Sequence, residues 1–86
     1  MKKAIVLINV EKGSEVLVAS RLNQIQNINN VYRVKGFFDI IAHVEAETHD
    51  QLKETIIIRI RYLSQVRTTL ALIVKQTDTP RADQKS

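Results

Sequence analysis

Cysteine is absent from the 86 residues, and glycine and proline are scarce, with two and one respectively. Without cysteine, neither a disulfide framework nor a thiolate metal site can support the fold. This absence fits a reducing compartment, and we expect a cytoplasmic location. The two glycines stand far apart, so the sequence contains no glycine-rich phosphate-binding motif. We expect no cofactor.

Long apolar runs are also missing. The run near the N-terminus follows Lys2 and Lys3 and ends at Asn9. It is too short for the apolar region of a signal peptide with its cleavage site, and far too short to span a bilayer. The sequence therefore predicts a soluble intracellular protein without a membrane partner.

Positive charge is in slight excess but is not concentrated. The sequence has 13 Lys and Arg against 9 Asp and Glu, which gives a net charge of +4. No cluster of basic residues exceeds two, whereas a nucleic-acid-binding surface normally carries a basic patch or stripe. The basic balance is therefore weak evidence for phosphate binding.

Hydrophobic residues make up 44% of the chain and charged residues 26%, which is typical of a globular domain. Aliphatic and β-branched runs predict four strands, at residues 4–10, 31–35, 37–46 and 66–74. Residues 1–75 are predicted to form one domain, and residues 76–86 a polar C-terminal tail. At this size only about 60 to 65% of the unfolded surface becomes buried.

Two amphipathic helices are predicted between these strands. Ser14 is placed to cap the first helix, whose apolar stripe contains Val18, Leu22 and Ile25. A capping box between Thr48 and Gln51 is predicted to start the second helix, which should extend to about Ser64. Its predicted stripe is Leu52, Ile56, Ile60 and Leu63.

The predicted order βαββαβ indicates an α+β ferredoxin-like plait, a four-stranded antiparallel sheet with both helices on one face. Even-numbered apolar residues of the first and third strands should face the helices. The odd-numbered set should then form the sheet face that the helices leave uncovered, here called the open face. Its predicted apolar members are Ile5, Leu7, Phe37, Ile41, Ala71 and Ile73.

An apolar face of this size predicts a sheet-to-sheet contact with a second copy of the chain. Leu17, Ile57 and Ile58 lie outside the predicted helix stripes. They are candidates for a further contact between dimers, and the alternative is a broad helix stripe.

The sequence shows no catalytic constellation, and we expect no enzymatic activity. His43 and His49 are too differently placed to form a metal pair, and no third ligand accompanies them. His43 is interpreted as an interface or surface strand residue and His49 as solvated. Arg59 and Arg61, near a helix C-terminus, are also interpreted as solvated.

A small polar patch in apolar surroundings is the candidate ligand site. The carboxylate of Asp39 is suited to an ammonium group, whereas the backbone N–H groups near Gly36 and the hydroxyls of Thr68 and Thr69 are suited to a carboxylate. Phe37 and Phe38 are predicted to form an apolar wall. The alternative is purely structural: Gly36 serves the turn, both phenylalanines serve the core, and Asp39 caps a loop N–H or pairs with Lys35 or Arg33.

Three stretches resemble the ligand-binding domain of Lrp/AsnC transcriptional regulators, also called the RAM domain (regulation of amino acid metabolism). They are AIVLINVEKG at residues 4–13, VYRVKGFFDI at 31–40 and VRTTLALIV at 66–74. The order of a Gly-x-x-Asp hairpin, a helix and a Val-Arg-Thr-Thr strand is the most specific element. The resemblance covers residues 3 to 75.

This resemblance implies a ferredoxin-like domain that dimerises through its sheets and associates into closed rings, octamers or decamers. It also implies an amino-acid effector bound between dimers, near Gly36–Asp39 with help from Thr68 and Thr69. The family usually attaches a helix-turn-helix, which this chain lacks. It therefore looks like a stand-alone member that senses amino acids or co-assembles with full-length regulators. No direct DNA binding is then expected of it.

Phe38 stands where many members have a tyrosine or another polar residue, which favours an aliphatic or aromatic effector, or a vestigial pocket. Two alternatives remain open. The segment after the first strand, residues 11–17, suggests an ACT-like regulatory domain. A dimeric α+β barrel enzyme would use His43, Asp39 or Arg67 in a cavity between sheets.

Overall fold

Four strands and two helices follow one another in a computed structural model that describes residues 1–75. The tail predicted for residues 76–86 lies outside this range. The elements are β1 (Lys2–Val10), α1 (Glu15–Leu22), β2 (Ile28–Arg33), β3 (Ile40–Ala46), α2 (His49–Glu54) and β4 (Val66–Val74). Helix α2 continues directly into a π-helical segment, Thr55–Ile60.

The strands form one antiparallel sheet in the order β2-β3-β1-β4. Both helices pack on the same face of the sheet, and the predicted α+β ferredoxin-like plait is therefore confirmed. The core alternates along β1 and β3, as the sequence predicts, because successive side chains of a strand point to opposite faces. The core residues contributed by these two strands are Ala4, Val6, Ile8, Val10, Ile40, Ala42, Val44 and Ala46.

The helices complete this core with the predicted stripes. Val18 and Leu22 are fully buried, as are Leu52 and Ile60. Helix α2 and its π-helical extension end at Ile60 rather than near Ser64, although Leu63 still packs against the core as a partly buried residue.

The two predicted caps differ in outcome. The hydroxyl of Thr48 accepts a hydrogen bond from the backbone N–H of Gln51 at 3.1 Å, so this half of the capping box forms. Ser14 occupies the N-cap position of α1 but makes no side-chain capping bond, and the prediction of a serine cap was wrong. Its φ of -101° and ψ of 7° are not the extended geometry in which a capping side chain reaches the first turn.

The connection between β2 and β3 is longer than the predicted turn. Strand β2 ends at Arg33 and β3 begins only at Ile40. Phe37 was predicted to start a strand and to belong to the open face, but it lies in this connection with 96% of its surface exposed. Its predicted place in a strand was wrong, because the chain leaves the sheet at Val34 and returns to it at Ile40.

A β-bulge in β4 reverses the predicted faces of that strand. Val10 pairs with Val66, but Asn9 pairs with Thr68, so Arg67 is an extra residue on β4. One extra residue moves every later side chain to the opposite face. Ala71 therefore lies opposite Val6 on the helix side, and Ile73 lies there with it. Their predicted place on the open face was wrong.

Leu70, Leu72 and Val74 take that place instead. Leu70 lies opposite Leu7 and Leu72 lies opposite Ile5. These three β4 side chains are 47 to 49% exposed, whereas Ile5, Leu7 and Ile41 of the inner strands are partly buried. The predicted apolar character of the open face thus holds with a different set of β4 residues.

Candidate ligand-binding site

The connection between β2 and β3, residues 34–39, is fixed to the sheet at both ends. The backbone N–H of Val34 donates to the carbonyl of Asp39, and the N–H of Asp39 donates to the carbonyl of Ile8, both at 2.9 Å. Between these anchors Gly36 has φ of 137°, a value that side chains disfavour. The connection is therefore a defined loop, and here it is called the 34–39 loop.

The carboxylate of Asp39 is already bonded to the sheet. Its Oδ2 atom accepts a hydrogen bond from the backbone N–H of Val10 at 3.0 Å. The pairing of β1 with β3 ends at Ile8 and Ile40. Beyond that point the side chain of Asp39, and not the backbone of β3, accepts the hydrogen bond from Val10 of β1. Asp39 therefore caps a backbone N–H, as the structural alternative held, but this N–H belongs to the last residue of β1 and not to the loop. The bond fixes the carboxylate beside the end of β1.

The two phenylalanines differ in exposure. Phe37 is 96% exposed at the tip of the loop, and Phe38 is partly buried. Within one protomer only Phe38 can contribute to an apolar wall. The alternative prediction that both phenylalanines serve the core is wrong for Phe37.

Thr68 and Thr69 point to opposite faces of the sheet. Thr68 lies opposite Asn9 on the open face and is exposed, whereas Thr69 lies opposite the buried Ile8. The hydroxyl of Thr69 accepts a hydrogen bond from Nε of Arg61 at 2.8 Å. The two hydroxyls therefore do not face one another. The sequence suggested that Arg61 is only solvated, whereas in the structure it also has this hydrogen bond.

Asp39 and Thr68 lie at the same end of the sheet, on opposite sides of β1. Two strand spacings separate their backbones, about 10 Å. The structure thus brings the loop and the start of β4 to one end of the domain, although it does not bring Asp39 into contact with either threonine. The sequence indicated these residues by their chemical type. The distance between them depends on the strand order, which places β1 between β3 and β4.

A cleft that sequence reasoning missed lies at the start of β4. Its volume is about 330 Å³, and it is lined by Arg61, Val66, Arg67, Thr68 and Thr69. Arg67 is the extra residue of the β-bulge, and Arg61 directly follows the π-helical segment. A hydrophobic pattern shows neither the β-bulge nor the π-helical segment. The sequence therefore provided no reason to expect the two arginines beside the threonines.

The other polar cluster on the open face is centred on His43. Its ring makes an edge-to-face contact with Tyr32, with centroids 5.5 Å apart. Nearby, the amide of Asn29 donates to the carboxylate of Glu45 at 2.6 Å. Residues 1–75 contain no group of three or more His, Asp or Glu side chains that could hold a metal ion. His43 is thus a partly buried strand residue of the open face, opposite Ile5.

The described residues thus form a small α+β domain of the ferredoxin-like class, with an uncovered apolar sheet face and with a loop and a cleft at one end. The family model described as "Lrp/AsnC ligand binding domain" matches residues 3–81. The chain belongs to this family. No curated protein sequence matches the chain.

Solved structures share this fold. FFRP-DM1 is 28% identical with a TM-score of 0.84, over 87% of this chain and 100% of that one. AsnC of E. coli is 20% identical with a TM-score of 0.81, over 93% of this chain and 54% of that one. The feast or famine regulatory protein Rv3291c of M. tuberculosis, complexed with L-methionine, is 24% identical with a TM-score of 0.71. That match covers 100% of this chain and 56% of the other.

The two regulators are similar to this chain over about half of their own length. At their degree of identity, the likeness shows a common fold. Within residues 1–75, neither helix has the length and apolar character needed to cross a membrane.

Proposed function

We propose that this chain is an oligomeric module that binds an amino-acid effector and acts in the transcriptional regulation of amino-acid metabolism. The observation that carries this proposal is the match of the ligand-binding domain model to residues 3–81. The structure that is similar over the whole chain and holds L-methionine supports an amino acid as the ligand.

The open face supports a dimer. Leu70, Leu72 and Val74 are about half exposed, and they flank Ile5 and Leu7 of the neighbouring strand. Contiguous apolar surface of this kind marks an interaction site. We assign it to a second copy of the chain, packed sheet to sheet, because Thr68 and Asn9, which pair with each other at one end of it, provide a polar rim of the kind that interfaces have.

A second exposed apolar patch supports association of dimers into a closed ring, an octamer or a decamer. Leu17 of α1 is 43% exposed, and Ile57 and Ile58 of the π-helical segment are 49% and 54% exposed. These residues lie on the helix side of the sheet, away from the proposed dimer contact. Two separate apolar surfaces on one chain allow assembly beyond the dimer.

The proposed effector site contains Gly36, Phe37, Phe38 and Asp39 of the 34–39 loop together with Thr68 and Thr69. Within one protomer this site is open, since Phe37 is 96% exposed and Asp39 is about two strand spacings from Thr68. We propose that a neighbouring copy in the ring closes it. Phe37 would then become the apolar wall that it cannot be in an isolated protomer.

An effect on transcription requires a DNA-contacting partner. Within residues 1–75 the two helices are separated by β2 and β3, so they do not form a helix-turn-helix, in which the second of two consecutive helices enters a DNA groove. We propose residues 1–75 as the ligand-binding domain and full-length Lrp/AsnC regulators as the partners through which it acts.

The test is a thermal-unfolding screen of the purified chain with each proteinogenic amino acid in turn. A ligand that binds only the folded state stabilises it by about 2.7 kcal/mol at a hundred times its Kd. One amino acid, or a small set of similar ones, should raise the Tm. An identical Tm with all of them would contradict effector binding.

A further inference from the structure

The cleft at the start of β4 is cationic. Of the described residues that line it, two are arginines and two are threonines, and none is acidic. Val66 provides the apolar contribution. Two guanidinium groups in one cleft repel each other, and an anion between them would relieve this repulsion.

Arg61 is held in place within this cleft. Its Nε atom donates to Oγ1 of Thr69 at 2.8 Å. This bond uses one of the five N–H donors of the planar guanidinium group, and the other four belong to its two terminal nitrogens. Such a fork matches the two oxygens of a carboxylate or phosphate group. Thr69 thus acts as a positioning residue for Arg61.

Two backbone irregularities bring the arginines together. Arg67 is the extra residue of the β4 bulge, and bulges re-aim side chains next to functional sites. Arg61 follows the π-helical segment, and its N–H bonds to the carbonyl of Ile56 at 3.2 Å, five residues earlier. π-Helical turns also occur frequently at functional sites. Both irregularities therefore occur at residues of the same cleft.

We infer that this cleft is an oxyanion site in which Arg61 and Arg67, with the hydroxyl of Thr68, bind the carboxylate of the effector amino acid. The inference rests on the proposed function and adds two arginines to it. It places the carboxylate of the ligand at the start of β4. The backbone N–H groups near Gly36, which the sequence suggested as carboxylate donors, then do not bind it.

The experiment compares an amino acid with its amide, in which a neutral carboxamide replaces the carboxylate. Isothermal titration is performed with the amino acid that most stabilises the wild-type chain, with its amide, and with inorganic phosphate. The variants are Arg67→Gln, Arg61→Gln and Thr69→Val. Arg59→Gln is the matched control, because Arg59 is exposed and lines a different cavity, beside Asn27 and Thr55.

The wild-type chain should bind the amino acid about tenfold to a hundredfold more tightly than the amide, the range for a charged hydrogen bond. Arg67→Gln and Arg61→Gln should lose this preference while they retain wild-type affinity for the amide. Thr69→Val should reduce the preference in part, and Arg59→Gln should keep it. A general loss of structure would weaken both ligands alike and would not remove the preference.

The outcomes separate this inference from the proposed function. If an amino acid binds and both arginine variants keep the full preference over the amide, the oxyanion site is wrong and effector binding stands. If no amino acid binds but phosphate binds in an arginine-dependent manner, the assignment to an effector carboxylate and the proposed function are both overturned. Binding of neither ligand also overturns both.

Discussion

Asp39 and Val10 are joined by a hydrogen bond of 3.0 Å from the backbone N–H of Val10 to Oδ2 of Asp39. This bond connects the end of the 34–39 loop to the end of β1. One carboxylate therefore has a structural contact of its own, in addition to the ligand contact proposed for it. Substitutions at Asp39 can separate the two roles.

We predict that Asp39→Ala lowers the free energy of unfolding by about 1 kcal/mol, since it leaves the N–H of Val10 without its acceptor. Asp39→Asn keeps an oxygen that accepts this bond and should recover most of the stability. Both variants should remain dimeric, and both should bind the effector more weakly, because each lacks the negative charge. Denaturant unfolding and titration calorimetry measure the two effects separately. Wild-type effector affinity in Asp39→Asn would remove Asp39 from the site.

The β4 bulge gives a sharp test of the proposed dimer. Leu72 and Ile73 are consecutive and similarly exposed, at 49% and 43%, but they lie on opposite faces of the sheet. Leu72→Asp should convert the dimer to a folded monomer, because the charge would be buried against the second sheet. Ile73→Asp should leave the sheet-to-sheet contact intact.

Sedimentation velocity and circular dichroism of these two variants measure assembly and folding together. The contrary outcome is equally clear. A dimer that survives Leu72→Asp and dissociates with Ile73→Asp would mean that the helix side of β4, and not the open face, forms the contact.

Gly36 is predicted to matter through its backbone alone. Its φ is 137°, and a Cβ built at this position would meet no atom within 4 Å. Gly36→Ala should therefore lower the free energy of unfolding by about 1 to 3 kcal/mol through backbone strain, without a steric clash. Lys35→Ala, at an exposed neighbouring position, is the control and should be nearly neutral. Equal stability of both variants would show that the loop adopts another conformation in solution.

Thr55 connects the π-helical segment to the chain before β2. It is only 4% exposed, its hydroxyl donates to the carbonyl of Gln51 at 2.9 Å, and it accepts from the amide of Asn27 at 3.2 Å. Thr55→Val should lower the free energy of unfolding by about 1 to 2 kcal/mol, since the partly buried Asn27 loses its partner.

The matched comparison for Thr55 is Thr69→Val, whose hydroxyl serves an exposed arginine that water can solvate. Its cost in stability should be smaller, below about 1 kcal/mol. Chemical denaturation of the two valine variants gives both values, and equal costs would contradict the buried role of Thr55.

The sequence predicted the fold where one periodicity dominates. Strands β1 and β3 alternate between buried and partly buried residues, so their faces follow directly from the pattern. The helix stripes and the capping hydroxyl of Thr48 were equally readable. The resemblance to the family came from three stretches, which contain most of β1, the second half of β2 with the 34–39 loop, and the whole of β4.

Strand β4 could not be read in the same way. Apolar side chains occupy both of its faces, with Leu70 and Leu72 on one and Ala71 and Ile73 on the other, so alternation does not decide between them. The face is set by the bulge at Arg67, which depends on pairing with β1 and not on the strand's own sequence. The bulge also places Arg67 beside the threonines, and the π-helical segment determines the place of Arg61. Neither position follows from the periodicity of the sequence.

The most direct test of the central claim is native mass spectrometry of the purified chain, with and without a mixture of the proteinogenic amino acids. The account predicts an even-numbered ring that retains one kind of amino acid, whose mass identifies the effector. A bare monomer or dimer without any adduct, in both samples, would contradict it.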